Sequence, residues 1–221
     1  MVLAFRRAGE AQGRTELTFS SFLPVVILAS ASPARKKILA DEGVRVIVRP
    51  TKTDEVRPSC GGNEVVEELA LRKLKCYLKD DPKPSFPVLC CDTLVSLDGI
   101  LIGKAKDEEE ARAQLRSFSG KRQEVDTGWA LYRDGTVLNG ADTASVWFKE
   151  LDGKAIETYL KSGEWKGAAG SYRIQEGGKE LVDHVSGDIF TVVGLPLSQI
   201  SAILSDDCVH WDAEFPPHRG E

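Results

Sequence analysis

The chain has 221 residues, a length that suits one large domain or two small lobes. Hydrophobic residues make up 42% and charged residues 29%, enough apolar surface to offset chain entropy and to argue against long disorder. Lys and Arg number 29 against 34 Asp and Glu, a net charge of −5 with no basic stripe, which argues against a protein that grips duplex nucleic acid through its phosphates.

No stretch approaches the roughly 20 apolar residues that span a bilayer, so no membrane partner is expected. In residues 1–22 the apolar part, Val2 to Phe5, is too short for a secretory signal. Arg6, Arg7 and Arg14 give a faint transit-peptide character, against which stand Glu10 and Glu16. The segment reads as a loose extension, with an organelle address as the minor alternative. The five cysteines (Cys60, Cys76, Cys90, Cys91 and Cys208) are irregularly spaced and contain no CxxC, so neither a zinc site nor a disulfide framework is supported. A reducing cytoplasm is the default location. The adjacent Cys90 and Cys91 read as small buried hydrophobes, a redox pair being the sharper alternative.

In chain order, Pro24 to Ser30 is a short apolar run that reads as a buried strand. Ser32 and Pro33 give a helix start, with a serine cap and proline in the first position. Gly43 closes that helix. Val44 to Arg49 alternates apolar and basic residues as a half-buried strand does, making an α/β opening. Residues 63–79 form a second helix with Asn63 as its cap, and Pro82, Pro84 and Pro87 punctuate a loop. Val88 to Leu97 is a strand, Asp98-Gly99 a tight turn, and Ile100 to Gly103 the returning partner. Asp107-x-x-Glu110 opens a helix that ends near Ser119-Gly120. Three β segments follow at about 123–132, 136–143 and 144–150, with Asp134-Gly135 as a turn. Asp152 to Lys161 is a helix, and Gly163 to Gly178 an ordered loop plus a strand. Leu181 to Val185 and Phe190 to Val193 are strands, and Pro196 starts a last helix to about Ser205. The expected division is an extension over 1–22, one body over 23–206 and a loose polar tail over 207–221.

Functional sites are expected where local rules fail. Asp92 interrupts the strand VLCCDTLVSL, and a carboxylate there belongs either to a ligand cleft or to a sheet edge. Lys73 falls on the helix stripe of Val66, Leu69, Ala70 and Tyr77, so it either snorkels or turns its ammonium into a pocket. A two-residue turn at Asp98-Gly99 sets Thr93 opposite Lys104, which brings that lysine beside Asp92, unless it guards an exposed edge. The turn SASPAR, with Ser30, Ser32 and Arg35, begins a helix whose free amides favour anions, although Ser32 also reads as a plain cap. Asp54 and Glu55 are either solvated acids or hard oxygen donors for Mg²⁺. The histidines are His184, His210 and His218, which supply no Ser-His-Asp set. Lysines and acids without a nucleophile fit metal-assisted phosphate chemistry better than acyl transfer.

These residues, in this order, resemble the Maf nucleoside triphosphate pyrophosphatases over about Val25 to Leu204. The segments that carry the likeness are ILASASPARKKILADEG, TDE at 53–55, ELALRK ending at Lys73, CDTLVSLDGILIGKAKDEEEARAQLRSFSGKRQEVDTG, SGEWKGAAGSYRIQ and SGDIFTVVGLPL. The resemblance implies an α/β fold, an elongated twisted mixed sheet flanked by helices, in two lobes around a central cleft, often dimeric, so a homodimer is expected. It implies a hydrolase of acid anhydrides that cuts nucleoside triphosphates between the α- and β-phosphates, leaving a monophosphate and pyrophosphate, with a divalent metal (Mg, Mn or Co) as cofactor.

By the resemblance, Asp92 stands at the general base, Glu55 at an acidic residue near the metal that Asp92 also holds, Lys73 and Lys104 at phosphate-binding lysines, and Ser30, Ser32 and Arg35 in the serine-arginine motif. Thr93 and Gln175 resemble the branch acting on dTTP and UTP, and a glutamine amide suits the imide edge of uracil or thymine. Three positions depart from the pattern: Ala34 replaces an arginine, Ala105 a proline and Ala168 a common lysine. The alternatives are a nucleotide-sensing regulator of cell division with little catalysis, and an enzyme for modified nucleotides.

Overall fold

The computed structural model describes residues 18–51 and 61–206. The chain opens with α1 (Phe19–Phe22), β1 (Val25–Leu28), α2 (Pro33–Asp41) and β2 (Arg45–Val48). Phe19 is buried, so residues 19–22, within the segment read as an extension, pack into the body. All four residues of β1 are buried, as a central parallel strand requires. Ser32 caps α2, its Oγ accepting from the Arg35 amide at 3.4 Å, and Pro33 occupies the first helical position.

The long helix α3 (Asn63–Asp80) leads to β3 (Val88–Leu97). Its N-cap is Gly62 and not the expected Asn63, which lies inside the first turn and makes no cap bond. After the Asp98-Gly99 turn, with φ of +52° and +79°, the returning β4 (Ile100–Leu101) is shorter than expected. α4 (Glu108–Phe118) is capped by Asp107, which accepts from the Glu110 amide at 2.8 Å. β5 (Arg122–Arg133) and β6 (Thr136–Phe148) form a hairpin on Asp134-Gly135. The two segments read at 136–143 and 144–150 are one strand: the polar and small residues Asp142 to Ser145 interrupt the apolar pattern, but their ladder to β5 is unbroken.

α5 (Gly153–Ser162) follows, capped by Asp152 and closed by Gly163. Gly163 to Gly178 holds no named strand and contributes a single bridge, Lys104 to Ala169. A 3₁₀ turn (Gly177–Leu181) leads into β7 (Val182–Ser186). Phe190 to Val193, expected as a strand, lies in the short helix α6 (Ile189–Val193). Asp188 caps it at the Phe190 amide and Gly194 closes it at φ +106°, so local capping overrides a β-branched composition. α7 (Leu197–Leu204) ends the described chain.

The strands form one mixed sheet in the order β2-β1-β3-β5-β6-β7, with β4 also on β3. β1 is parallel to β2 and β3, and the remaining pairs are antiparallel. α3 covers one face, burying Ala70, Leu74 and Tyr77 with Val88, Cys90 and Ala130. The other face carries two apolar clusters. One joins α2 and α7 to Leu89, Cys91, Trp129 and Leu131. The second joins α4 and α5 to Val95, Leu97 and Val125. Cys90 and Cys91 therefore belong to opposite faces, which excludes a disulfide between them. Burial pushes the Cys91 thiol up to about 11 and raises Cys90 as well, so both are packing groups. Among the described residues no helix is long and apolar enough to cross a membrane.

Candidate active site

On its outer edge β3 pairs with β1 only through Leu89 and with β4 only from Ser96, with one further bond from the Ile102 amide to the Val95 carbonyl at 2.8 Å. Between these points neither strand covers it, and the burial of β3 is interrupted at Asp92, Thr93 and Leu94. A cleft of about 440 Å³ opens there, walled by the start of α2, by Lys73 of α3, by Lys104, by Gly167 to Gln175 and by Val192 and Val193 of α6.

Asp92 Oδ2 lies 3.1 Å from Lys73 Nζ, and the pair is about three-quarters buried at the cleft. Asp92 Oδ1 accepts from the Thr93 amide at 3.0 Å, and Lys73 Nζ also reaches the Cys91 carbonyl at 3.4 Å. The lysine on the apolar stripe thus turns inward. Its approach depends on Gly128, which faces Asp92 across the β3–β5 ladder. A Cβ at Gly128 would sit 2.1 Å from the Val66 carbonyl oxygen, so the glycine lets α3 lie against the sheet.

Arg35 is buried, and its hydrogen bonds go to the protein. Nε donates to the Gly194 carbonyl at 2.7 Å, Nη1 to Ser30 Oγ and the Cys91 carbonyl at 3.1 Å each, and Nη2 to Thr93 Oγ1 at 2.9 Å. Four of its five N–H donors are engaged, so the guanidinium ties α2 to the uncovered edge of β3 and to the end of α6. The Thr93 hydroxyl is likewise occupied, by Arg35 and by Thr127 Oγ1 at 2.9 Å. Ser30 Oγ accepts from the Ser32 amide at 3.2 Å and from Arg35, while Ser32 Oγ accepts from the Arg35 amide. As acceptors, both serines keep their hydroxyl protons for a ligand.

Lys104 reaches the cleft by another route than the expected ladder. The β3–β4 ladder stops before it, Thr93 faces Thr127 instead, and Lys104 bridges Ala169. It is exposed on the cleft wall and has no ion pair among the described residues. Gln175 lines the same wall and is exposed; Ala168 lies there half-buried, and Ala34 lines the cleft, half-buried, from the start of α2. Glu55, like Asp54, lies outside the described residues. Three groups escaped the sequence reading. Arg173, on the cleft lining, holds the wall by donating to the carbonyls of Glu164 and Lys166 at 2.8 and 2.9 Å. Asp126, buried in β5, accepts from the Gly62 amide at 2.9 Å. Thr127 lies behind Thr93. Asp126 carried the same signal as Asp92, an acid inside a strand; Thr127 carried none.

Four cationic side chains (Arg35, Lys73, Lys104 and Arg173) therefore line a cleft in which Asp92 is the one carboxylate among the described residues. Such a cleft suits a polyanion. Among the described residues no three Asp, Glu, His or Cys converge on a metal position. A single carboxylate nonetheless fits Mg²⁺, which keeps several waters and is commonly held by one or two carboxylates together with substrate phosphates.

The family model "Maf-like protein" matches residues 25–206. A dTTP/UTP pyrophosphatase of Pyrococcus furiosus is 36% identical over 179 residues, 81% of this chain and 93% of that protein. Its counterpart in Halalkalibacterium halodurans is 41% identical over 79% of this chain and 91% of that protein, and that of Bdellovibrio bacteriovorus 34% over 82% and 98%. With the family model spanning the whole sheet and every element that walls the cleft, the chain belongs to the Maf-like family.

Proposed function

We propose that the protein is a nucleoside triphosphate pyrophosphatase that hydrolyses UTP and dTTP to the monophosphate and pyrophosphate. One observation carries the reading: Asp92, the one cleft carboxylate among the described residues, is set among cations, with Lys73 at 3.1 Å. The names of the relatives, dTTP/UTP pyrophosphatase, supply the substrate class.

In this mechanism the triphosphate lies along the uncovered edge of β3. Asp92 accepts a proton from the attacking water as its oxygen bonds to the α-phosphorus. The bond from that phosphorus to the α,β-bridging oxygen breaks, and pyrophosphate leaves with the electron pair. Lys73 and Lys104 offset the charge on the phosphate oxygens. The Ser30 and Ser32 hydroxyls at the start of α2 donate to them, where the helix end also favours an anion. Asp92, with Glu55 as a second carboxylate, would hold the divalent cation, which when bound supplies Lewis-acid polarisation of a phosphoryl oxygen. Gln175 addresses the base from the opposite wall.

The test is pyrophosphate release from a panel of triphosphates with Mg²⁺, Mn²⁺ or Co²⁺. UTP and dTTP are expected to turn over fastest, and Asp92→Asn is expected to lower kcat by ~10²–10⁴-fold, the range of general-base assistance. Undiminished turnover by Asp92→Asn would remove the base assignment. UTP binding with no product from any triphosphate would replace the enzyme by a nucleotide sensor.

A further inference from the structure

Two apolar clusters meet on the α2 face of the sheet, and the seam between them is polar. Along β3 the side chains on that face are Leu89 and Cys91 in one cluster and Val95 and Leu97 in the other, with Thr93 between them. Along β5 Val125 belongs to the second cluster and Trp129 and Leu131 to the first, and Thr127 falls between, paired with Thr93. Thr127 is fully buried, and a valine of the same shape would satisfy the packing. The hydroxyl therefore calls for a reason.

Its hydrogen bonds have fixed directions. Thr127 Oγ1 donates to the Thr191 carbonyl of α6 at 2.8 Å. Having one proton, it must accept the 2.9 Å bond from Thr93 Oγ1. Thr93, having given its proton to Thr127, accepts from Arg35 Nη2. The chain runs one way, from guanidinium to Thr93 to Thr127 to a helix carbonyl. It crosses the stretch of β3 that neither β1 nor β4 covers, next to the Thr93 amide that orients Asp92. On the uncovered edge itself the Cys91 carbonyl accepts from the Arg35 and Lys73 side chains, Nη1 and Nζ, in place of a neighbouring strand. Gly194 completes the arrangement: a Cβ there would meet Thr93 Oγ1 at 2.9 Å and Arg35 Nε at 3.2 Å.

We infer that Thr127 is a positioning residue for the reaction: through Thr93 it fixes the uncovered edge of β3 and so the direction of the Asp92 carboxylate. It is not itself part of the cleft lining and meets that lining through Thr93. The inference rests on Asp92 as the base. A misplacement of about 1 Å in a reacting group costs up to ~10²-fold in rate, so loss of this hydroxyl should act on kcat.

The experiment compares Thr127→Val, Thr127→Ser and Thr93→Val with the unaltered protein and with Asp92→Asn. The readouts are UTP turnover, binding of a UTP analogue with a non-hydrolysable α,β-bridge, and thermal melting. Thr127→Val and Thr93→Val are expected to lower kcat by ~10–10²-fold while KM and analogue affinity stay within about threefold, the pattern of an interaction made in the transition state. Thr127→Ser, which keeps the hydroxyl, should restore kcat to within about threefold. A purely structural role would lower the melting temperature and the number of binding sites but leave turnover per site unchanged, and that result would overturn the inference. Should Thr127→Val fail to fold, Thr93→Val decides alone: an undiminished kcat refutes the relay. Inactive Asp92→Asn beside fully active threonine variants removes this inference and leaves the base. Active Asp92→Asn removes the base reading itself.

Discussion

The two walls of the cleft are built differently. On the β3 side every polar group already has a protein partner: Asp92 has Lys73 and the Thr93 amide, and Arg35 has four acceptors. On the facing side Lys104 and Gln175 are exposed and make no side-chain hydrogen bond or ion pair among the described residues. One wall is assembled before any ligand arrives, whereas the other, Arg173 aside, offers its polar groups to the ligand. Preorganised groups act on the transition state, and free groups act on binding. Substitutions on the two walls should therefore separate stability and turnover from affinity.

The largest effect is expected from Arg35→Ala. It leaves the Gly194 carbonyl without its donor, and takes one of two donors from the Cys91 carbonyl and one of two partners from the Thr93 hydroxyl, a loss of about 3 kcal/mol for one unmet buried group and two lost hydrogen bonds. For a chain of this size that is a fall of about 6–12 °C in melting temperature, with turnover reduced as well. A melting temperature unmoved by Arg35→Ala would dissolve the contrast between the walls. Lys104→Ala comes next. The expected outcome is a KM for UTP about tenfold higher, the loss of one charge-assisted contact, with melting unchanged. A large drop in stability would mean that Lys104 is structural after all. Gln175→Ala is the mildest. A single neutral hydrogen bond to the base suggests about fivefold weaker use of UTP, with purine triphosphates unaffected. An equal loss for every nucleotide, read from kcat/KM across the panel, would move Gln175 from the base to the phosphates.

How much of this could be read from the residues depends on the range of the interactions. The turn at Asp98-Gly99 and the caps at Ser32 and Asp107 are local, and they form where the sequence placed them. Asp92 and Lys73 were visible because each broke the pattern of its own element, and the fold brings them together. The approach of Lys104 was inferred from a hairpin register that stops short, because the chain leaves β3 after Ile102 to bridge Ala169. α6 was misread because IFTVV, with four of its five residues β-branched and the fifth aromatic, has strand composition, and only its capping by Asp188 and Gly194 makes it a helix. Thr127 was illegible: a threonine in a strand is ordinary, and its partners lie 34 and 64 residues away. Arg35 was legible as a site residue, but sequence could not show that its donors face the protein.

The glycine across the ladder from Asp92 has a consequence for anyone redesigning this pocket. With no side chain at 128, the backbone of α3 rests against β5, and the height of Lys73 above the sheet is fixed by contact between main chains. That spacing has no slack to draw on. A bulkier residue at 128 would act as a shim, prising the ammonium away from its carboxylate without altering a single group that a nucleotide could touch.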